Sequence, residues 1–425
     1  MKNKRHTIFF KTRFLILMSV FTATLTAQEK RILFLGNSYT TVNDLPQMLK
    51  DVAASTGDLV AVDSNAPGGH TLEDHVFNTI SQGKIAAGNW DFVVLQEQSQ
   101  IPSLPEWIVE MDLYPYAQQL NASILQFSPC AETVFYMTWG RKNGDSGNCA
   151  SWPPVCTYEG MDELLNQRYR TVAETNNAIV SPVGAVWNYL RQNHPEIELY
   201  HTDQSHPSPA GTYAAACTFY AAVLRKDPMQ ISFHSTLTPI EAGIIKAAAK
   251  TVVFDALPEW FIGTYDPVAA FTHNATGALV GFTENAQNEE TYLWDFGDGN
   301  SSIEPNPQYT YNATGNYTVT LTVSHCGQVD AASQTISIAT LGIEEPETNP
   351  EFRCYPTIVS DQIRIQATQN IRQMYLIDLT GRVVNLAFSP EKNSVTVDLS
   401  TFSAATYFLR VATDSGSFTT KIVKQ

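Results

Sequence analysis

Arg31-Ile-Leu-Phe-Leu-Gly36-Asn37-Ser38-Tyr39-Thr40 is an apolar run that stops at a glycine and delivers a serine two residues later. The run is short and does not alternate, as expected of a strand covered on both faces. Runs of the same kind recur at Leu59–Asp63, Phe92–Gln96, Glu132–Met137 and Ala178–Pro182, with helical stretches between them. Asp44-Leu-Pro46 supplies an N-cap and an early proline, and Thr71-Leu-Glu-Asp74 has the pattern of a capping box. Met161–Asn176, Pro209–Arg225 and Pro239–Asp255 read as further helices. Strands alternating with helices predict an α/β domain over residues 28–262, a three-layer α/β/α arrangement around a five-stranded parallel sheet. Binding sites in such sheets lie at the carboxyl ends of strands, where Ser38 falls.

Far downstream comes Asp203-Gln204-Ser205-His206-Pro207. Acyl transfer to a serine needs a hydroxyl, a base, a group that orients the base, and donors for the oxyanion. Ser38 supplies the hydroxyl, His206 the base and Asp203 the orienting carboxylate, on one loop before the helix at Pro209. Taken alone, Ser38 reads more readily as a helix-start residue than as a nucleophile; the downstream pair makes it a nucleophile candidate. Pro67-Gly68-Gly69-His70-Thr71 follows the second strand, and Gly69 offers an N–H with no side chain in the way. The third strand ends in Leu95-Gln96-Glu97-Gln98-Ser99, where an amide could donate as well.

These blocks resemble the SGNH (GDSL-like) hydrolase superfamily over nearly all of residues 30–225. The family's Gly-Asp-Ser block appears as Gly36-Asn37-Ser38, its lone-glycine block as Gly69-His70-Thr71, and its Asp-x-x-His block as Asp203-Gln-Ser-His206. The resemblance implies a flavodoxin-like fold. It also implies a catalytic triad of Ser38, His206 and Asp203, with the backbone N–H groups of Ser38 and Gly69 in the oxyanion hole. The third block departs from the family's Gly-x-Asn-Asp. Gln96 is placed in the asparagine's role, as in carbohydrate-esterase branches with a Gln-Gly-Glu-Ser tip, and Gln98 is the alternative.

The 425 residues exceed one ordinary domain, and 44% are hydrophobic, enough for a full-size core. A net charge of −16 argues against nucleic acid and against an anionic membrane surface. The start is basic (Lys2, Lys4, Arg5, Lys11, Arg13), a short apolar core runs from Phe14 to Phe21, and small residues lead to Ala27. That predicts a signal peptide over 1–27, and no stretch is long and apolar enough for a comfortable membrane span. Export permits disulfides, and Cys149 and Cys156 form the best local pair among six cysteines. Cys130, Cys217, Cys326 and Cys354 cannot be paired from sequence. No Cys-x-x-Cys occurs, and His70/His75 and His201/His206 are five apart where two helical metal ligands want four, so neither a metal nor a cofactor is expected.

From about residue 263 to 341 the text turns to Thr, Val, Tyr, Asn and Gly with period-two stretches such as Tyr317-Thr-Val-Thr-Leu-Thr-Val323, an antiparallel sandwich. Trp294-Asp-Phe-Gly-Asp-Gly299 resembles the signature of the PKD domain, an immunoglobulin-like module. Asp295 and Asp298 there read as turn residues rather than calcium ligands. Residues 342–351 are a linker, and 352–425 form a second small all-β unit. Its Asp378-Leu-Thr-Gly381-Arg382 hairpin, its Tyr407-Phe-Leu-Arg-Val411 strand and its Lys421-Ile-Val-Lys424 end resemble the type IX secretion C-terminal sorting domain. This implies the type IX machinery as a partner and a secreted or cell-surface location in a Gram-negative bacterium.

The rim of the expected site carries flat rings. Trp139 and Trp152 lie on a long loop from Trp139 to Tyr158, and Trp107 ends a loop that begins at Ser99; all three read equally as core residues or as candidate substrate-binding residues suited to sugar faces. The leading expectation is a secreted serine esterase that removes an acyl group from a carbohydrate, a small molecule or a polysaccharide. A lipid, aryl or thioester hydrolase of the same mechanism and an inactive sugar-binding or adhesion protein are the alternatives.

Overall fold

The computed structural model describes residues 29–339, 352–379, 381–388, 392–414 and 416–425. The expected leader over 1–27 and the linker over 342–351 lie outside the described residues. Contacts divide the chain into two units, Met1–Asp266 and Pro267–Gln425.

The first unit is built on five strands: β1 (Lys30–Leu35), β2 (Val60–Asn65), β3 (Phe92–Leu95), β4 (Glu132–Tyr136) and β5 (Ile179–Ser181). All pairs are parallel, in the order β2-β1-β3-β4-β5. The chain leaves β1 for β2 on one side and returns to β3 on the other, so the strand order reverses beside β1. A crevice opens at such a reversal, outside the carboxyl ends of the strands. Ile32, Leu33, Phe34 and Leu35 are entirely shielded from solvent, because helices cover both faces. Burying each of those side chains contributes about 1.5–3 kcal/mol.

The helix Pro209–Val223 is buried on every side from Ala210 onward. Its alanines let it lie deep, between the helices Leu45–Ala54, Val183–Asn193 and Pro239–Val252, with Phe219 set edge-on to Phe34 and Tyr136. Ser208 caps it through the Gly211 N–H (3.1 Å), and Pro209 occupies the first turn. The capping box at Thr71 forms as its sequence pattern indicates, with Thr71 and Asp74 exchanging bonds of 3.0 Å. The helix expected from Met161 begins earlier, at Tyr158, because Thr157 supplies a cap to the Gly160 N–H.

The second unit contains two all-β cores. One surrounds Trp294, which is fully buried, with its indole N–H on the Glu304 carbonyl (2.9 Å). The pair Gly315–His325 and Gln328–Ile338 is its longest ladder. Asp295 and Asp298 accept the N–H groups of Gly297 (2.9 Å) and Asn300 (3.0 Å), and Asp298 also takes the Tyr309 hydroxyl (2.6 Å). These are turn-forming bonds, with Gly297 and Gly299 in the left-handed region. The other core gathers Ile363, Ile365, Leu376, Leu409, Val411 and Ile422.

Candidate active site

The nucleophile candidate stands where β1 breaks. Asn37 ends the extended backbone and caps the four-residue helix Ser38–Thr41, its Oδ1 accepting the Tyr39 N–H (3.2 Å). Gln96, at the end of β3, reaches across. Its Oε1 takes the Asn37 N–H (3.0 Å) and the Thr40 hydroxyl (2.9 Å), and its Nε2 donates to Asn37 Oδ1 (2.8 Å). That approach explains Gly36, where a Cβ would stand 2.6 Å from Gln96 Oε1. From the opposite side the fully buried His75 donates through Nε2 to the Gly36 carbonyl (2.8 Å) while Nδ1 faces the Ser81 hydroxyl (2.7 Å). Burial lowers the His75 pKa to about 4, so the ring is neutral.

The turn from Tyr200 to Pro207 carries the other two groups. Asp203 Oδ1 accepts the N–H groups of Ser205 and His206 (3.0 Å each). Its Oδ2 lies 2.5 Å from His206 Nδ1, and His206 Nε2 lies 2.8 Å from Ser38 Oγ. Partial burial pulls the Asp203 pKa up. The hydrogen bonds from the His206 ring and the two backbone N–H groups outweigh it and bring the value to about 2. The carboxylate therefore stays charged through neutral pH, able to hold the Nδ1–H tautomer and to offset an imidazolium.

Two backbone donors stand ready nearby. Asn37 Nδ2 donates to the His70 carbonyl (2.9 Å), which ties the glycine turn to the shoulder of Ser38. Gly69 adopts a φ of 75°, open to glycine without strain. Among the described residues no protein group accepts from the N–H of Ser38 or of Gly69.

The two candidate side-chain donors separate. Gln96 is wholly buried, and its amide hydrogens go to Asn37 Oδ1 and the Glu97 carbonyl (2.7 Å). It holds the turn of Ser38 and has no amide hydrogen to spare. Gln98 is oriented by its Oε1, which accepts from the N–H groups of Gln100 (2.8 Å) and Ile101 (3.3 Å), and gives one amide hydrogen to Gln100 Oε1 (3.1 Å). One amide hydrogen remains.

Between them sits Glu97, which sequence reasoning passed over. It is fully buried, and its carboxyl accepts the N–H groups of Gln98 (2.5 Å) and Leu72 (3.3 Å). Burial pushes its pKa up, against the pull of those bonds, to about 8. Glu97 thereby links the tip of β3 to the helix that follows the Gly69 turn. The available signal was a carboxylate two residues past a fully apolar strand.

The three tryptophans separate. Trp107 is 60% exposed, on the helix Glu106–Asp112. Trp152 is half-buried and donates its indole N–H to the Ser103 carbonyl (3.0 Å), stitching the two rim loops together. Trp139 is not on the rim: it is fully buried, stacked on Trp187 with centroids 3.7 Å apart, and its indole N–H serves the Ser205 carbonyl (3.0 Å). Tyr39 is stacked on it as well, with centroids 4.8 Å apart, and a ring held between Trp187 and Tyr39 has no face left for a sugar. Buried Asp145 organises the same loop, accepting from Gly147 N–H (3.1 Å), Arg141 (3.2 Å), Asn148 (2.6 Å) and Gln100 (2.7 Å). Burial raises the Asp145 pKa, but those partners outweigh it and leave it below the ordinary value. Cys149 and Cys156 form a disulfide in this loop, while Cys217 and Cys354 are free thiols.

Residues 265–340 match the PKD domain, and residues 353–425 match the secretion system C-terminal sorting domain. The sorting domain indicates secretion or cell-surface attachment, and among the described residues no helix is long and apolar enough to cross a membrane. The chain is 39% identical over 80 residues to the pre-pro-metalloprotease PrtV of Vibrio cholerae, a match covering 17% of this chain and 9% of that protein. It thus spans less than a tenth of that relative's length. Among solved structures, a DUF4886 family protein from Bacteroides uniformis is 17% identical, with a TM-score of 0.47, covering 53% of this chain and 94% of its own. A putative SGNH hydrolase from Slackia heliotrinireducens is 28% identical, with a TM-score of 0.37, covering 45% of this chain and 97% of its own. The first unit itself is an α/β fold, a five-stranded parallel sheet in the order β2-β1-β3-β4-β5 with its helices packed around it.

Proposed function

We propose that the first unit is a serine esterase working through an acyl-enzyme, and that its substrate is an acyl group, acetyl foremost, on a carbohydrate. The reading rests on one observation above the others: His206 Nε2 lies 2.8 Å from Ser38 Oγ while Nδ1 faces a charged carboxylate. In the first half-reaction Ser38 Oγ attacks the ester carbonyl carbon as its proton passes to His206 Nε2. The carbonyl oxygen becomes an oxyanion in reach of the N–H groups of Ser38 and Gly69, with the spare Gln98 amide hydrogen as third donor in place of Gln96. Collapse breaks the bond to the alcohol oxygen, which takes the proton from His206. In the second half-reaction water gives a proton to His206 and attacks the acyl-serine. The proton then returns to Ser38 as the carboxylic acid leaves.

Trp107, exposed on the helix Glu106–Asp112, and Trp152, on a rim loop, support a sugar-shaped alcohol. The sorting domain supports work outside the cell on polymers, with the type IX machinery as export partner.

The test is direct. The protein should release p-nitrophenol from p-nitrophenyl acetate, label on Ser38 with a serine-reactive phosphonate, and release acetate from acetylated xylan or pectin. A chain that takes no phosphonate and turns over no ester is not a hydrolase. Turnover of aryl or lipid esters with none of acetylated polysaccharide would move the substrate class.

A further inference from the structure

The turn that carries the imidazole is exposed, yet His206 must stay within bonding reach of Ser38. Asp203 and Gln204 both face solvent, and Gln204 has a φ of 64°, a conformation that side chains rarely adopt. Such a turn needs outside anchors to keep one geometry. Four converge on two adjacent residues, one of them from Asn143 Nδ2 to Gln204 Oε1 (2.7 Å). The Lys142 N–H donates to the Gln204 carbonyl (3.0 Å), and the Trp139 indole N–H to the Ser205 carbonyl (3.0 Å). The Tyr39 hydroxyl pairs with Ser205 Oγ at 2.6 Å.

Tyr39 is the unusual member, because it follows Ser38 on the same short helix. Its ring is nearly parallel to Trp139 (centroids 4.8 Å apart, 3° between planes), and Trp139 is stacked in turn on Trp187. The His206 ring stands edge-wise to Tyr39 with centroids 5.3 Å apart. The row Trp187–Trp139–Tyr39 is buried throughout. It ends against the imidazole and sends two polar groups up to Ser205, the residue immediately before it.

We propose that Tyr39, through its hydroxyl bond to Ser205, is a positioning residue that holds the general base in register with the nucleophile, with Ser205 as its counterpart on the turn. One side chain is thereby tied to both halves of the site: its backbone belongs to the helix of Ser38, its hydroxyl to the loop of His206. The proposal rests on the esterase reading above for its kinetic consequence, and on geometry alone for its structural one.

The experiment uses the full chain with Tyr39→Phe, Ser205→Ala and the pair together. Tyr39→Phe keeps the ring in the stack and removes only the hydroxyl. On p-nitrophenyl acetate each single variant should lose roughly tenfold in kcat with KM changed less than about twofold, because reach between reacting groups is disturbed rather than substrate binding. Both changes delete the same bond, so the double variant should be no slower than the slower single. The downfield proton resonance of His206 Nδ1–H, which needs no turnover, should broaden in both singles. Wild-type kcat together with an unchanged resonance in both singles overturns the proposal, and so do losses that multiply in the double variant. If the wild-type protein hydrolyses no ester, the esterase reading fails by itself and the resonance still decides the clamp. Should Tyr39→Phe fail to fold, Ser205→Ala at the partly exposed turn carries both readouts.

Discussion

At the scale of single residues, the site separates charges by environment. Asp203, held by three hydrogen bonds, stays ionised down to a pKa of about 2. Its folded value lies below the unfolded carboxylate value near 3.9, so its contribution to stability is complete above that pH and is lost as pH falls toward 2. Ser38→Ala and Asp203→Asn should each cut kcat/KM on p-nitrophenyl acetate by about 10³-fold or more; thermal melts at pH 7 should be nearly unchanged for Ser38→Ala and lowered for Asp203→Asn, which gives up that contribution. Glu97 runs the opposite way. Its folded pKa, near 8, lies above the unfolded value near 4.3, so the folded state holds a proton that the unfolded state has lost between those limits. Stability should therefore decline as pH rises across that window. Glu97→Gln, which keeps an acceptor for the Leu72 and Gln98 N–H groups, should flatten that decline; thermal melts at pH 6 and pH 9 provide the check. An equally steep decline in the variant would assign the pH dependence to other groups.

At the scale of elements, the two rim loops act as one piece. Gln100 on the first donates to Asp145 on the second, and Trp152 on the second donates to Ser103 on the first. Asp145→Ala removes a buried carboxylate with four partners and should destabilise by about 2–4 kcal/mol, measured by urea unfolding. Replacing Cys149 and Cys156 by serine should cost about 2–3 kcal/mol, the chain-entropy value for so short a loop. Esterase activity should fall more than stability does at 25 °C if these loops carry the substrate, and that comparison separates the two roles. The strand and helix pattern was legible because each element follows local rules. Apolar runs stop at Gly36 or at polar tips, and Thr71, Ser208 and Thr238 mark helix starts through their own hydroxyls. The loops were not legible to the same depth. A tryptophan three residues past a strand has the same text whether it faces solvent or, as Trp139 does, the core.

At the scale of the whole molecule, two all-β cores follow the unit that holds Ser38, Asp203 and His206, each assembled from its own apolar set. The final one is the sorting domain, so deleting residues 353–425 should leave the protein behind the outer membrane of a host with type IX export. Cell fractionation reads that outcome, and undiminished release of the truncated chain would place the export signal elsewhere. What the sequence determined by itself is whatever depends on near neighbours along the chain: the β–α alternation, the caps, the Trp294–Gly299 signature, and the pairing of Asp203 with His206 three residues on. The tertiary structure alone decided which polar groups are already spoken for. Gln96 and Gln98 are indistinguishable as text. Only the fold, by closing β3 against β1, consumes both amide hydrogens of Gln96 on Asn37 and Glu97 and leaves one on Gln98. Hydrogen-bond saturation is a property of surroundings, and those surroundings come from residues about sixty positions away for Gln96 and about 170 for Ser38.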